Sequence, residues 1–91
     1  MDLITPAALE EALESLDWTL VDGELQKVVR RKDFADALAY VTAVGALAEA
    51  ANHHPDVDIR WNTVVLRLST HSRGGITDAD LSLAASIDHL H

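Results

Sequence analysis

Leu9, Ala12, Leu13 and Leu16 recur at three- and four-residue spacing behind Thr5-Pro6. That spacing predicts a helix with Thr5 as N-cap and Pro6 at the first helical position, where its missing N–H costs nothing. Glu10, Glu11 and Glu14 fall on its solvated side. The pattern then changes. Trp18 to Val21 and Glu24 to Arg31 flank Asp22-Gly23, a hairpin signal because a type I′ turn needs positive φ at both central positions. The second of these strands is the weakest element, since Lys27 and Arg31 share the face of Leu25 and Val29. Asp33 caps a long helix to about Asn52, with an apolar stripe of Phe34, Leu38, Val41, Val44, Leu47, Ala48 and Ala51. Gly45 in its middle suits close approach to a neighbouring element.

Val57 to Trp61 alternates with period two and predicts a half-buried strand. Val64 to Thr70 predicts another, with Val64, Leu66, Leu68 and Thr70 on one face, and Ser72 to Gly75 form a loop. The last helix opens with Thr77 as N-cap, Asp80 completing a capping box, and Ile76 placed to staple onto Leu81. Leu81, Ala84, Ala85 and Ile87 supply its buried side. The order is helix, hairpin, helix, two strands, helix. It predicts an α+β fold in which a four-stranded antiparallel sheet carries three helices on one face.

Ninety-one residues allow one domain, 1–91, and a chain of this size buries only about 60–65% of its unfolded surface. Dense packing is therefore needed, and self-association as a homodimer or homotetramer is expected to help. Seven Lys and Arg against fifteen Asp and Glu give a net charge of −8, which argues against nucleic-acid and anionic-membrane surfaces. No cysteine is present, so disulfides, thiolate metal sites and cysteine nucleophiles drop out together. The longest uncharged window, Ala37 to Ala48, is twelve residues, short of the ~20 of a membrane span. The opening Met1 to Pro6 has neither a basic region nor an apolar one, so a cytoplasmic location is expected.

Apart from His89 and His91, the histidines occur in two places: His53-His54-Pro55 after the long helix, and His71 after the last strand. Pro55 disfavours helical geometry at His54, so the helix should end near His53. A helix persisting that far puts Glu49, Asn52 and His53 on one face. Ser69-Thr70-His71 ends a strand of the sheet that this helix covers, so three imidazoles converge at one rim, with Glu49 and Asp80 nearby. Plainer readings stand beside this one. The histidine pair also suits capping of the helix dipole, Asp80 is a capping-box carboxylate, and Glu49 a solvated charge. Trp18 and Trp61 suit a core or an interface, and His89 and His91 need no role. Adjacent histidines point apart, and neither a His-Glu-x-x-His run nor a cysteine pair occurs, so no metal is expected. Gly74-Gly75 lacks the pattern of a phosphate loop, and nothing supplies an oxyanion hole for Ser69 or Ser72. Imidazole acid/base chemistry on a small neutral substrate remains, at a ring whose unperturbed pKa is ~6.5.

Asn52-His53-His54-Pro55, Trp61-Asn62-Thr63-Val64, Leu68-Ser69-Thr70-His71, Gly74-Gly75-Ile76-Thr77 and Asp80 together resemble the pterin-4a-carbinolamine dehydratases. Trp18, Gly23, Lys32-Asp33-Phe34 and Ala84 to Ile87 extend the likeness over most of the chain. The resemblance implies three helices on a four-stranded antiparallel sheet. It also implies dehydration of 4a-hydroxytetrahydropterin to quinonoid dihydropterin, which recycles the pterin after aromatic amino acid hydroxylation and so links the protein to a hydroxylase. By position it makes His53, His54 and His71 catalytic. Glu49, Asn52, Pro55, Ser69, Thr70, Ser72, Asp80 and Trp18 become substrate-binding residues, and no metal or bound cofactor is implied. The chain departs from the family near the end of its second strand, where Val29 and Arg31 replace the usual aromatic residues. The resemblance carries a non-catalytic alternative as well. Animal members act as dimerisation cofactors of a homeodomain transcription factor, and bacterial relatives with degraded motifs assist assembly.

Overall fold

A computed structural model describes residues 2–91. The elements are α1 (Pro6–Ser15), β1 (Thr19–Val21), β2 (Glu24–Arg30), α2 (Phe34–Ala51), β3 (Asp56–Arg60), β4 (Thr63–Leu68), a short 3₁₀ turn (His71–Arg73) and α3 (Asp78–Asp88). The strands form one sheet in the order β1-β2-β4-β3, antiparallel throughout. This is the predicted α+β order.

Local chemistry sets the boundaries. Thr5 caps α1 by accepting the Ala8 N–H at 3.3 Å, and Asp33 caps α2 by accepting the Asp36 N–H at 2.8 Å. Asp22 and Gly23 both take positive φ, 51° and 80°, as a type I′ hairpin requires. The second hairpin turns one residue earlier than the strand pattern predicts: Trp61 lies in its turn at φ 52°, 67% exposed, rather than ending a strand.

The core lies between the helices and one face of the sheet. Leu25, Val64, Leu66 and Leu68 are wholly buried there, joined by Trp18, Val44, Ala48, Leu83, Ala84 and Ile87. Register explains the strand that looked weakest. Lys27 pairs with Leu66 on β4 and points toward the helices, where its ammonium sits 2.7 Å from Asp88 and 3.1 Å from Asp17. Burial acts to lower its pKa, but the hydrogen bonds and charges of Asp88 and Asp17 win, and the group is held above the ordinary 10.5. Arg31 lies just past the strand and grips Asp36 through two nitrogens at 3.1 and 3.2 Å.

α2 is apolar on nearly every side, so its sequence does not single out the buried face. The structure buries Ala37, Tyr40, Val44 and Ala48, while Phe34 and Leu38 of the predicted stripe point outward at 47% and 44% exposure. Gly45 is also on the outside, and a β-carbon there would meet no neighbouring atom within 4 Å. The close approach it suits is thus not made within one chain. By length and composition α2 is apolar enough to cross a membrane, yet one face of it is part of the core. On α3 the buried face is Asp80, Leu83, Ala84 and Ile87, with Leu81 and Ala85 only half-buried.

Candidate active site

Asn52 ends α2. It takes the left-handed conformation, φ 50°, which asparagine tolerates better than most residues, and the His53 N–H turns back to the Ala48 carbonyl at 3.1 Å. The chain leaves the helical track one residue before His53. Glu49, Asn52 and His53 therefore do not form the shared helical face that the spacing predicted. His53 and His54 diverge instead, each toward its own carboxylate.

His53 reaches α3, where its Nε2 lies 2.5 Å from Asp80 Oδ1. Asp80 is 0% exposed, a carboxylate whose burial requires partners for its remaining lone pairs. It has them: Oδ2 accepts the Thr77 N–H at 2.9 Å and the Thr70 hydroxyl at 2.8 Å. The Thr70 and Thr77 hydroxyls lie 2.8 Å from each other. The capping box of α3 is complete, so one carboxylate both starts a helix and holds an imidazole. An ionised carboxylate only accepts, which makes His53 Nε2 the donor and leaves Nδ1 as the lone pair of the neutral ring.

His54 turns the other way and pairs with Glu49 in the open. His71 begins the 3₁₀ turn, which closes on itself through Thr70 N–H to Gly75 O at 2.7 Å and Gly74 N–H to Thr70 O at 2.9 Å. Its exposed ring makes no hydrogen bond with any described residue. Ser69 donates to Glu24 Oε2 at 3.0 Å across the β2–β4 pair.

These residues enclose a cleft of about 240 Å³. Asn52, His53 and His54 form one wall, and Ser69, Thr70, His71 and Ser72 the other. Seven of the eleven predicted site residues thus meet in one place. Asp80 stands behind His53, Glu49 beside His54, and half-buried Pro55 follows the turn without lining the cleft. Thr70 lines the cleft but spends its hydroxyl on Asp80 and Thr77. Trp18 is elsewhere. It is 5% exposed, and its indole N–H donates to Asp88 at 2.9 Å. Asp88 is eight residues along α3 from Asp80, about 12 Å at 1.5 Å per residue. The structure therefore places Trp18 in the core, apart from the cleft around which the other expected substrate-binding residues gather.

Two participants escaped sequence reasoning. Thr77 was legible as a cap but not as a neighbour of Thr70, because that contact joins a loop to a helix start. Glu24 carries no local signal; only the strand register brings it beside Ser69.

This geometry gives the comparisons with known proteins their meaning. The family model for pterin 4 alpha carbinolamine dehydratase matches residues 2–90. The chain belongs to this family. A curated relative from Acidobacterium capsulatum, provisionally named a pterin-4-alpha-carbinolamine dehydratase, is 50% identical over 91 residues and covers 99% of both chains. One from Roseiflexus castenholzii with the same provisional name is 48% identical over 97% of this chain and 96% of its own. The crystal structure of a transcriptional coactivator/pterin dehydratase from Brucella melitensis superposes with a TM-score of 0.90 at 30% identity, covering 96% of each chain. A pterin dehydratase-like RuBisCO assembly factor of the alpha-carboxysome shares the fold alone: TM-score 0.64, 23% identity, 81% of this chain and 86% of that one.

Proposed function

We propose that this family member is an active cytoplasmic dehydratase, converting 4a-hydroxytetrahydropterin to quinonoid dihydropterin and water. The C4a–O bond breaks and the oxygen leaves as water after taking a proton. The N5 proton passes to a base, and the C4a=N5 double bond forms. No net oxidation occurs, so positioned acid and base groups suffice, each contributing typically ~10²–10⁴-fold. The observation that carries the reading is His53 seated on the buried Asp80, whose other oxygen accepts from Thr70 and Thr77, at the wall of a cleft that also holds His54 and His71. In this reading His53 takes the N5 proton through Nδ1, and His71 protonates the leaving hydroxyl. His54 and its partner Glu49 border the ring, with Asn52, Ser69 and Ser72 as polar contacts. A cleft of about 240 Å³ is slightly below the usual ~300–1,000 Å³ of small-molecule sites, which suits a bicyclic head with one edge in solvent.

The test is stopped-flow decay of enzymatically generated 4a-hydroxytetrahydropterin, followed in the ultraviolet with and without the protein. Acceleration lost in His53→Ala and His71→Ala supports the proposal. Full activity in both variants, or no acceleration by the folded protein, refutes it. The physiological role proposed is pterin recycling beside an aromatic amino acid hydroxylase.

The non-catalytic alternative has its own observation: Phe34, Leu38, Thr42, Gly45 and Ala46 leave the outer face of α2 apolar and uncovered. We assign that face to a homodimer or homotetramer. Light scattering that gives a monomer would remove the assignment.

A further inference from the structure

Three potential ligands from three separate segments meet at the rim of the cleft. Glu24 starts β2, Asp56 starts β3 and His71 starts the 3₁₀ turn, and one donor atom of each lies within 4.8 Å of the others. Sheet register produces this. Glu24 lies beside Ser69, and Asp56 faces Arg67, so both carboxylates rise from the helix-free face on either side of β4. Among the described residues neither carboxylate has an ion-pair partner, although Arg67 shares their face. Among the described residues His71 is the one cleft histidine whose ring makes no hydrogen bond, since His53 has Asp80 and His54 has Glu49.

Two uncompensated carboxylates beside an imidazole with a free lone pair form a donor set for a borderline divalent cation. Zinc takes nitrogen and carboxylate oxygen at about 2.0–2.2 Å, and tetrahedral geometry then separates ligands by about 3.4 Å. The side chains must therefore close by roughly 1 Å, which rotamer changes at exposed Asp56 and His71 and half-buried Glu24 permit. Ser69 already orients Glu24, the kind of outer hydrogen bond that fixes a ligating carboxylate. Three protein ligands leave a fourth position for water.

We propose that Glu24, Asp56 and His71 form a zinc-class cation site whose occupancy withdraws His71 from proton transfer and so inhibits the enzyme reversibly. With the cation on the lone pair of one ring nitrogen, His71 cannot become imidazolium, the form that would give its proton to the leaving hydroxyl. The binding stands by itself; the inhibition rests on the dehydratase reading above.

The experiment is calorimetric titration of Zn²⁺ into chelator-treated, tag-free protein, wild type and the Glu24→Gln/Asp56→Asn double variant. Both substitutions keep side-chain volume, and neither residue belongs to the proposed catalytic set. Circular dichroism confirms that the variant is folded. One site per chain is expected, weakened at least about tenfold in the variant. The zinc concentration that halves dehydratase activity should rise by a similar factor. Absence of binding, or binding undiminished in the folded variant, overturns the site. Binding that depends on both carboxylates but leaves turnover unchanged overturns the inhibitory role and keeps the site. A chain that binds zinc through them but shows no dehydratase activity places the failure in the functional reading instead.

Discussion

Asp80→Asn tests the link between the start of α3 and the chemistry. The side chain keeps its volume but exchanges one acceptor oxygen for a donor NH₂. Facing Thr77 N–H and the Thr70 hydroxyl, that NH₂ would set donor against donor in a site that is 0% exposed, at about 1–3 kcal/mol for each unsatisfied group. The cheaper arrangement keeps the oxygen there and turns the NH₂ toward His53. The bonds from Thr70 and Thr77 then survive but lose their charge assistance, at about 1 kcal/mol each and ~2 kcal/mol together. For a chain this short, such a loss lowers Tm by about 8–16 °C. The chemical effect is larger. His53 Nε2 must now accept, so the ring proton moves to Nδ1 and the proposed base is occupied. We expect kcat to fall by about 10² or more, with the protein still folded at 25 °C. Urea titration followed by tryptophan fluorescence reads the first quantity, and stopped-flow turnover the second. A folded variant with kcat within about threefold of wild type would refute the assignment of His53 as a base held by Asp80.

Trp18→Phe gives the complementary outcome: lower thermal stability through loss of the Asp88 hydrogen bond, with kcat and KM unchanged, because the indole lies outside the cleft. A selective loss of kcat would return Trp18 to the site. Lys27→Ala leaves Asp88 half-buried without its cation, and we expect a loss of about 2–3 kcal/mol in urea titrations at neutral pH. An unchanged midpoint would show the pair to be neutral. Stability should also fall at both pH extremes. Burial raises the Tyr40 pKa above 10.0, and its carboxylate partners raise that of Lys27 above 10.5. In both, the folded state holds its proton more tightly, so their contribution is complete below about pH 10 and is lost as pH rises through the folded values. The Asp36 pKa is lowered from 3.8, first by the Lys32 N–H and then by Arg31, so its contribution is present above that value and is lost as pH falls below it. Urea midpoints measured from pH 2 to 12 test both limbs, and a flat alkaline limb would contradict the Lys27 and Tyr40 assignments.

Periodicity and capping made most of the fold legible. Thr5-Pro6, Asp22-Gly23, Asp33 and Thr77 each enforce a boundary through local hydrogen bonding or φ, and all four lie where the structure turns. What escaped was set at longer range. α2 offered apolar residues on every side, so only packing against the sheet could choose Ala37, Tyr40, Val44 and Ala48 over Phe34 and Leu38. In the site, clustering of the histidines followed from topology, but their partners did not. The left-handed Asn52 rotates His53 away from Glu49, and helical spacing cannot anticipate a residue that has left the helix.

That rotation sends His53 and His54 to different carboxylates, while His71 arrives from a separate segment with surroundings of its own. His53 meets a buried carboxylate whose other oxygen already accepts from Thr70 and Thr77, and His54 meets an exposed one. Among the described residues the His71 ring has no hydrogen-bond partner, and it lies beside two carboxylates without an ion-pair partner. Three identical side chains on one small cleft thus have three different surroundings, and differently placed acid and base groups are what a dehydration needs. The arrangement also ties activity to folding. One carboxylate caps α3 through Oδ2 and holds His53 through Oδ1, so a substitution that frays the helix start disturbs the base as well. Changes at Asp88, on the far end of the same helix, should cost stability while sparing turnover. The comparison of the two ends of α3 is therefore a direct measure of how much of the proposed catalysis depends on the buried Asp80 network.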